Sequence, residues 1–94
     1  VGAMALGALG DAYLEIDDPD EAVGYYLKAA KFNDNAFTTP LFLIKAGWTY
    51  ELLGEYDEAA ELYERIYKEY PRSNEAREIE KYMARSEVLD EKSN

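Results

Sequence analysis

Ninety-four residues make one domain, with room for a modest core but too little chain for a catalytic domain and a lid. Twenty acidic residues against ten basic ones leave a formal charge of −10, a field that repels nucleic acid and anionic lipid and favours basic or neutral partners. Cysteine and histidine are both absent, which excludes disulfides, thiol nucleophiles and thiolate metal sites and removes the commonest general base and zinc ligand.

The first apolar-periodic segment runs from about Ala3 to Ile16, with Leu6, Leu9, Ala12 or Tyr13, and Ile16 at helical spacing. It stops at Asp17-Asp18-Pro19. There Asp18 is predicted to N-cap a second helix, Pro19 to fit its first turn and Glu21 to complete a capping box. That helix is expected to bury Ala22, Val23, Tyr26, Ala29 and Ala30, with Phe32 a further candidate, before Asn33-Asp34-Asn35 breaks it.

Thr39-Pro40 opens a third helix by the same capping logic, with Leu43, Ala46, Gly47, Tyr50 and Leu53 as its inward stripe. Gly54 ends it by supplying the left-handed conformation that a tight turn needs. The fourth helix, roughly Tyr56 to Tyr70, is predicted to bury Ala59, Ala60, Leu62, Tyr63, Ile66 and Tyr67, and Pro71 closes it. Ser73 or Asn74 caps a fifth. In it Ala76, Ile79, Tyr82, Met83 and Leu89 face inward, Glu75, Arg77, Glu78, Glu80, Lys81 and Arg85 face water, and Asp90 to Asn94 fray.

No apolar run reaches the ~18–20 residues of a membrane span. The opening stretch Val1 to Leu9 is apolar but lacks the basic flank of a signal peptide. With no initiator Met and a start inside a helical pattern, the chain reads as a fragment of a longer protein.

The chain also repeats itself. Gly10-Asp-Ala-Tyr13, Asp20-Glu-Ala22 and Tyr25-Tyr26 recur 37 residues later as Gly47-Trp-Thr-Tyr50, Asp57-Glu-Ala59 and Leu62-Tyr63. Small and aromatic residues recurring at this period imply stacked helical hairpins. Gly10 against Ala22 and Gly47 against Ala59 would let antiparallel helices approach closely, with Tyr13, Tyr26, Tyr50 and Tyr63 filling the grooves. Each glycine costs about 1 kcal/mol of helix propensity, so its recurrence argues that packing requires it.

The run Leu43, Gly47, Tyr50, Gly54-Glu-Tyr56-Asp-Glu-Ala59, Tyr63 and Pro71 resembles a tetratricopeptide repeat. Leu6, Leu9-Gly10, Tyr13, Ala22, Tyr26 and Ala29 resemble a second. The resemblance implies an all-α antiparallel helical-hairpin solenoid: repeat one over residues 3–36, repeat two over 40–73, and a capping or continuing helix over 74–91, five helices in a single domain. The departures are Asp17 and Pro19 in place of the turn glycine and its aromatic, Ile66 in place of a small residue, and three extra residues in Asn33–Thr39 against a period of ~34. The phrase Lys68-Glu-Tyr70-Pro71-Arg-Ser73-Asn-Glu-Ala76 is similar to repeat ends of bacterial cell-envelope members, and Phe37 to Gly47 resembles uncharacterised Bacteroidetes-type ones. This leaves two locations open, the bacterial cytoplasm or a membrane-anchored domain facing the periplasm, with the anchor outside this sequence.

The resemblance further implies that the first helix of each hairpin lines a concave, partner-binding face. The residues falling there are Met4, Gly7, Asp11, Leu14 and Glu15, then Leu41, Ile44, Lys45, Trp48, Glu51 and Leu52. Asp11, Glu15, Ile44, Lys45, Trp48 and Glu51 are the candidate contact set for a basic or amphipathic protein or peptide, with affinity from apolar burial and selectivity from acidic charge. The bland reading is that Trp48 packs under a neighbouring hairpin and the acids cover a solvated surface. The paired Lys, Asn and Arg with which family members clamp a chaperone C-terminus are missing, because Gly7 and Asp11, then Ile44 and Trp48, stand where the Lys and Asn should be, and Lys45 alone is no clamp.

Asp17-Asp18-Pro19-Asp20-Glu21 lacks the spacing and glycine of a calcium loop and reads as helix capping. The pairs Glu58–Glu61 and Glu75–Glu78 fall on charged outer faces, near Arg65 and Lys81. No catalytic residue, metal or cofactor is expected. A second reading is an assembly module that self-associates or docks onto further repeats through its end helices.

Overall fold

Both hairpin turns are built by the same hydrogen bonds. The helix α1 (Ala3–Glu15) ends where the amides of Asp17 and Asp18 bond back to the carbonyls of Leu14 and Tyr13, at 3.0 and 2.8 Å. The helix α3 (Thr38–Leu52) ends likewise, with Gly54 and Glu55 donating to Glu51 and Tyr50 at 3.0 and 2.8 Å. This pairing closes a helix only if the residue after the cap is left-handed. Gly54 takes φ 76 without steric cost, and Asp17 takes φ 62 despite its side chain. Asp17 is therefore the turn residue that replaces the first repeat's glycine.

The next helices, α2 (Pro19–Phe32) and α4 (Tyr56–Glu69), start directly after these turns. Asp18 caps α2 by accepting from the Glu21 amide at 3.3 Å, with Pro19 at the first helical position. The reciprocal half of the expected capping box is not formed, because the Asp18 amide is committed to the Tyr13 carbonyl. The start of α3 also differs from expectation. Thr39 lies inside the helix, fully buried, donating to the Ala30 carbonyl at 3.2 Å and accepting from the Asn35 amide at 3.0 Å. The capping oxygen belongs to Asn35, whose Oδ1 accepts from the amides of Phe37 and Thr38 at 2.8 Å each.

The structure describes residues 2–79 and 81, and all their regular structure is helical. Each helix packs on the next in sequence, and α3 also touches α1, so the two hairpins stack as an antiparallel solenoid. A fifth helix opens at residues 74–79, capped by Ser73 Oγ accepting the Ala76 amide at 3.0 Å, with Ala76 and Ile79 buried. The expectations for Glu80, Tyr82, Met83, Arg85, Leu89 and Asp90 to Asn94 fall outside the described residues. Among those described, no helix is long and apolar enough to cross a membrane.

Ala22, Tyr26, Ala46, Ala59, Tyr63, Ile66 and their neighbours form one continuous core. The glycines are matched to rings. A Cβ at Gly10 would stand 2.6 Å from the Tyr26 ring, one at Gly47 2.2 Å from Tyr63, and one at Gly7 2.2 Å from Phe42. Tyrosine rings thus abut the Gly10 and Gly47 notches, and Phe42, against Gly7, packs the second hairpin onto the first. Leu9, Ile16, Phe32 and Tyr67, all expected inward, are instead exposed at 42, 70, 55 and 50%. In α1 it is Gly7 and Gly10 that face the core, which turns Leu9 and Ile16 outward.

Candidate functional site

The face shared by α1 and α3 is floored by the two buried tyrosines. Tyr26 threads past Gly10, and its hydroxyl donates to Asp11 Oδ1; Tyr63 threads past Gly47, and its hydroxyl donates to Glu51 Oε2 at 3.1 Å. A tyrosine ring so enclosed needs a partner for its hydroxyl, and a carboxylate on the first helix of the hairpin supplies it in both repeats. Two of the acids on this face therefore secure the fold as well as charging the surface.

Lys45 bridges the two hairpins. Its Nζ lies 3.1 and 3.5 Å from the Asp11 oxygens and 5.7 Å from the centre of the Tyr26 ring. Burial works to raise the Asp11 carboxyl, but hydrogen bonds from Tyr26 and Lys45 and the Lys45 charge outweigh it and hold the pKa below its ordinary value. The Tyr26 phenol is pushed well up, by burial first and then by its bond to Asp11 and that group's charge. At neutral pH Tyr26 is a phenol and Asp11 a carboxylate.

Of the candidate contact set, the structure brings Asp11, Lys45 and, through the equivalent tyrosine, Glu51 into this face. Glu15 lies one turn beyond Asp11 and is exposed. Trp48 is 37% exposed, and Leu52, one turn further along α3, is 71% exposed. Ile44 is a correction to the expected surface: only 2% exposed, it belongs to the core and offers nothing to a partner. Its counterpart Gly7 is buried in the same way under Phe42.

Sequence reasoning missed a second feature. A cleft of about 710 Å³ opens between the 33–37 loop and the 69–75 segment, walled by Phe37, Leu41, Tyr70 and Pro71. The signal for it was the three-residue excess at Asn33–Thr39. The outer acids behave as solvated faces: Arg65 pairs with Glu69 and Lys68 with Glu64, each one turn apart, the former in place of the partners Glu58 and Glu61.

Residues 43–73 match one family model described as a tetratricopeptide repeat, and residues 5–35 match another with the same description. No curated protein and no solved structure matches the chain.

Proposed function

Because the chain belongs to the tetratricopeptide repeat family, whose members are in general non-catalytic protein–protein interaction modules, we propose that it binds a partner segment on the face shared by α1 and α3. The observation that carries this reading is the exposure of Trp48 and Leu52 one turn apart on α3, with Glu51 between them in sequence and Glu15 exposed on α1. A partly exposed tryptophan is of the residue type that most often anchors an interface. Acidic groups around it select a segment with an apolar stripe and basic flanks. The partner class is therefore a basic amphipathic peptide or helix, bound without chemistry.

The test is affinity capture with the domain and with a Trp48→Ala, Glu15→Lys double variant. Glu51 is spared, since replacing it would remove the hydrogen bond that it accepts from the Tyr63 hydroxyl. A protein retained by the parent and lost by the variant supports this face as the site; equal recovery sinks it.

A specific observation supports a second reading, assembly. Ala5, Leu9 and Ala12 on α1 are exposed, whereas their repeat counterparts Phe42, Ala46 and Thr49 on α3 are buried in the packing with the first hairpin. With Ile16 they leave an uncovered apolar face that another copy or a further hairpin would bury. Sedimentation velocity on the parent and on Leu9→Glu tests it. Association that the charge abolishes favours assembly, and a monomer at all concentrations counts against self-association.

A further inference from the structure

We propose that the cleft between the 33–37 loop and the 69–75 segment is a second binding site, one that takes an aromatic or large aliphatic side chain from a partner segment carrying lysine or arginine beside it. The volume, about 710 Å³, lies within the ~300–1,000 Å³ range of built ligand pockets and has room for more than one side chain. Its walls are apolar where Phe37, Leu41, Tyr70 and Pro71 meet.

The walls are also braced by hydrogen bonds. Asn35 holds the loop at five points: its Oδ1 takes the amides of Phe37 and Thr38, its amide donates to Thr39 Oγ1, and its Nδ2 donates to the Asn33 carbonyl and Thr38 Oγ1. Tyr70, on the opposite wall, donates its hydroxyl to Asp34 and so ties the two walls together across 36 residues of sequence. The result is a phenylalanine 85% exposed on a loop that the bonds of Asn35 brace. Covering such a ring removes apolar area from water at little entropic cost.

The chemistry of the occupant follows from charge. Glu69, Arg72 and Glu75 line the cleft, Glu69 being paired with Arg65, and the chain as a whole carries −10. An apolar anchor with basic neighbours is attracted by that field, whereas an acidic segment, a phosphate or a second copy of this acidic chain is repelled. The site shares Leu41 with α3 but uses none of Asp11, Glu15, Trp48 or Glu51, so it stands or falls separately from the α1–α3 face.

The experiment is fluorescence anisotropy with short labelled peptides of three kinds: a central phenylalanine flanked by lysines, the same with glutamates, and the lysine peptide with alanine at its centre. The proteins are the parent, Phe37→Ser, Ala36→Lys, and the Trp48→Ala, Glu15→Lys variant. Phe37 and Ala36 are exposed, so both cleft variants are expected to fold, and circular dichroism checks this. The lysine–phenylalanine peptide should bind the parent and the Trp48→Ala, Glu15→Lys variant alike, and both cleft variants about tenfold more weakly. Three results would overturn the proposal: equal binding of all three peptides, loss of binding through the Trp48 variant, or self-association of the parent that Phe37→Ser abolishes.

Discussion

Gly47 and Tyr63 are fitted to each other. A Cβ on Gly47 would lie 2.2 Å from Tyr63 Cε1, and the ring cannot retreat, being fully buried with its hydroxyl on Glu51. Gly47→Ala should therefore sit near the top of the ~1–3 kcal/mol overpacking range. Subtracting the ~1 kcal/mol that alanine gains in helix propensity leaves a net loss of about 2 kcal/mol. Gly24, on α2 with nothing within 4 Å of a new Cβ, is the control: Gly24→Ala should gain about 0.5–1 kcal/mol. Urea denaturation of the two variants checks both signs.

The two turns predict opposite effects of one exchange. Asp17 carries positive φ in the first turn where Gly54 carries it in the second. Asp17→Gly should raise stability by about 0.5–1 kcal/mol, and Gly54→Ala should lower it by about 1 kcal/mol, as thermal unfolding would show.

Tyr26→Phe should cost about 1 kcal/mol at neutral pH, the worth of a typical hydrogen bond. The cost should depend on pH at both ends. Asp11 has a folded-state pKa below its ordinary 3.8, so the stability it brings is present above that value and is lost as pH falls through the lower, folded one. Tyr26 is raised above 10.0, so its share is full below about pH 10 and is lost as pH climbs towards the folded value. The gap between parent and variant should form a plateau between about pH 4 and 10 and narrow on either side. Denaturant titrations across pH measure it; a gap that widens above pH 10 would contradict the assignment.

Asn35→Ala removes the acceptor of two backbone amides. A cost of about 1 kcal/mol is expected, that of a lost helix cap. Hydrogen exchange should speed up at Phe37 and Thr38, while the amides of Leu53, Gly54 and Glu55 in the distant second turn stay protected.

What the sequence makes legible is punctuation and period. Asp18, Gly54 and Ser73 act at the helix ends where their chemistry places them, and the recurrence of glycine and tyrosine gives the hairpins. Facing is harder. The helix α3 packs against α1, α2 and α4, so it is apolar nearly all round, and periodicity cannot tell that Ile44 is enclosed while Trp48 is partly exposed. In α1 the fully buried positions are the smallest residues, because rings from other helices fill the space, so that of the apolar stripe Leu6 and Tyr13 pack against the core while Leu9 and Ile16 point outward. The cleft depends on Asn35 bonding to five groups at once, a geometry that three extra residues in a repeat period do not spell out.

Trp48 is the chain's one tryptophan, so its emission reports on the α1–α3 face alone. The most direct measurement is a titration of the domain with a tryptophan-free segment of its captured partner, binding followed by calorimetry and by Trp48 fluorescence together. If the partner lies on this face, emission should shift and saturate with the same affinity as the heat. Binding seen by calorimetry with Trp48 emission unchanged would contradict the account.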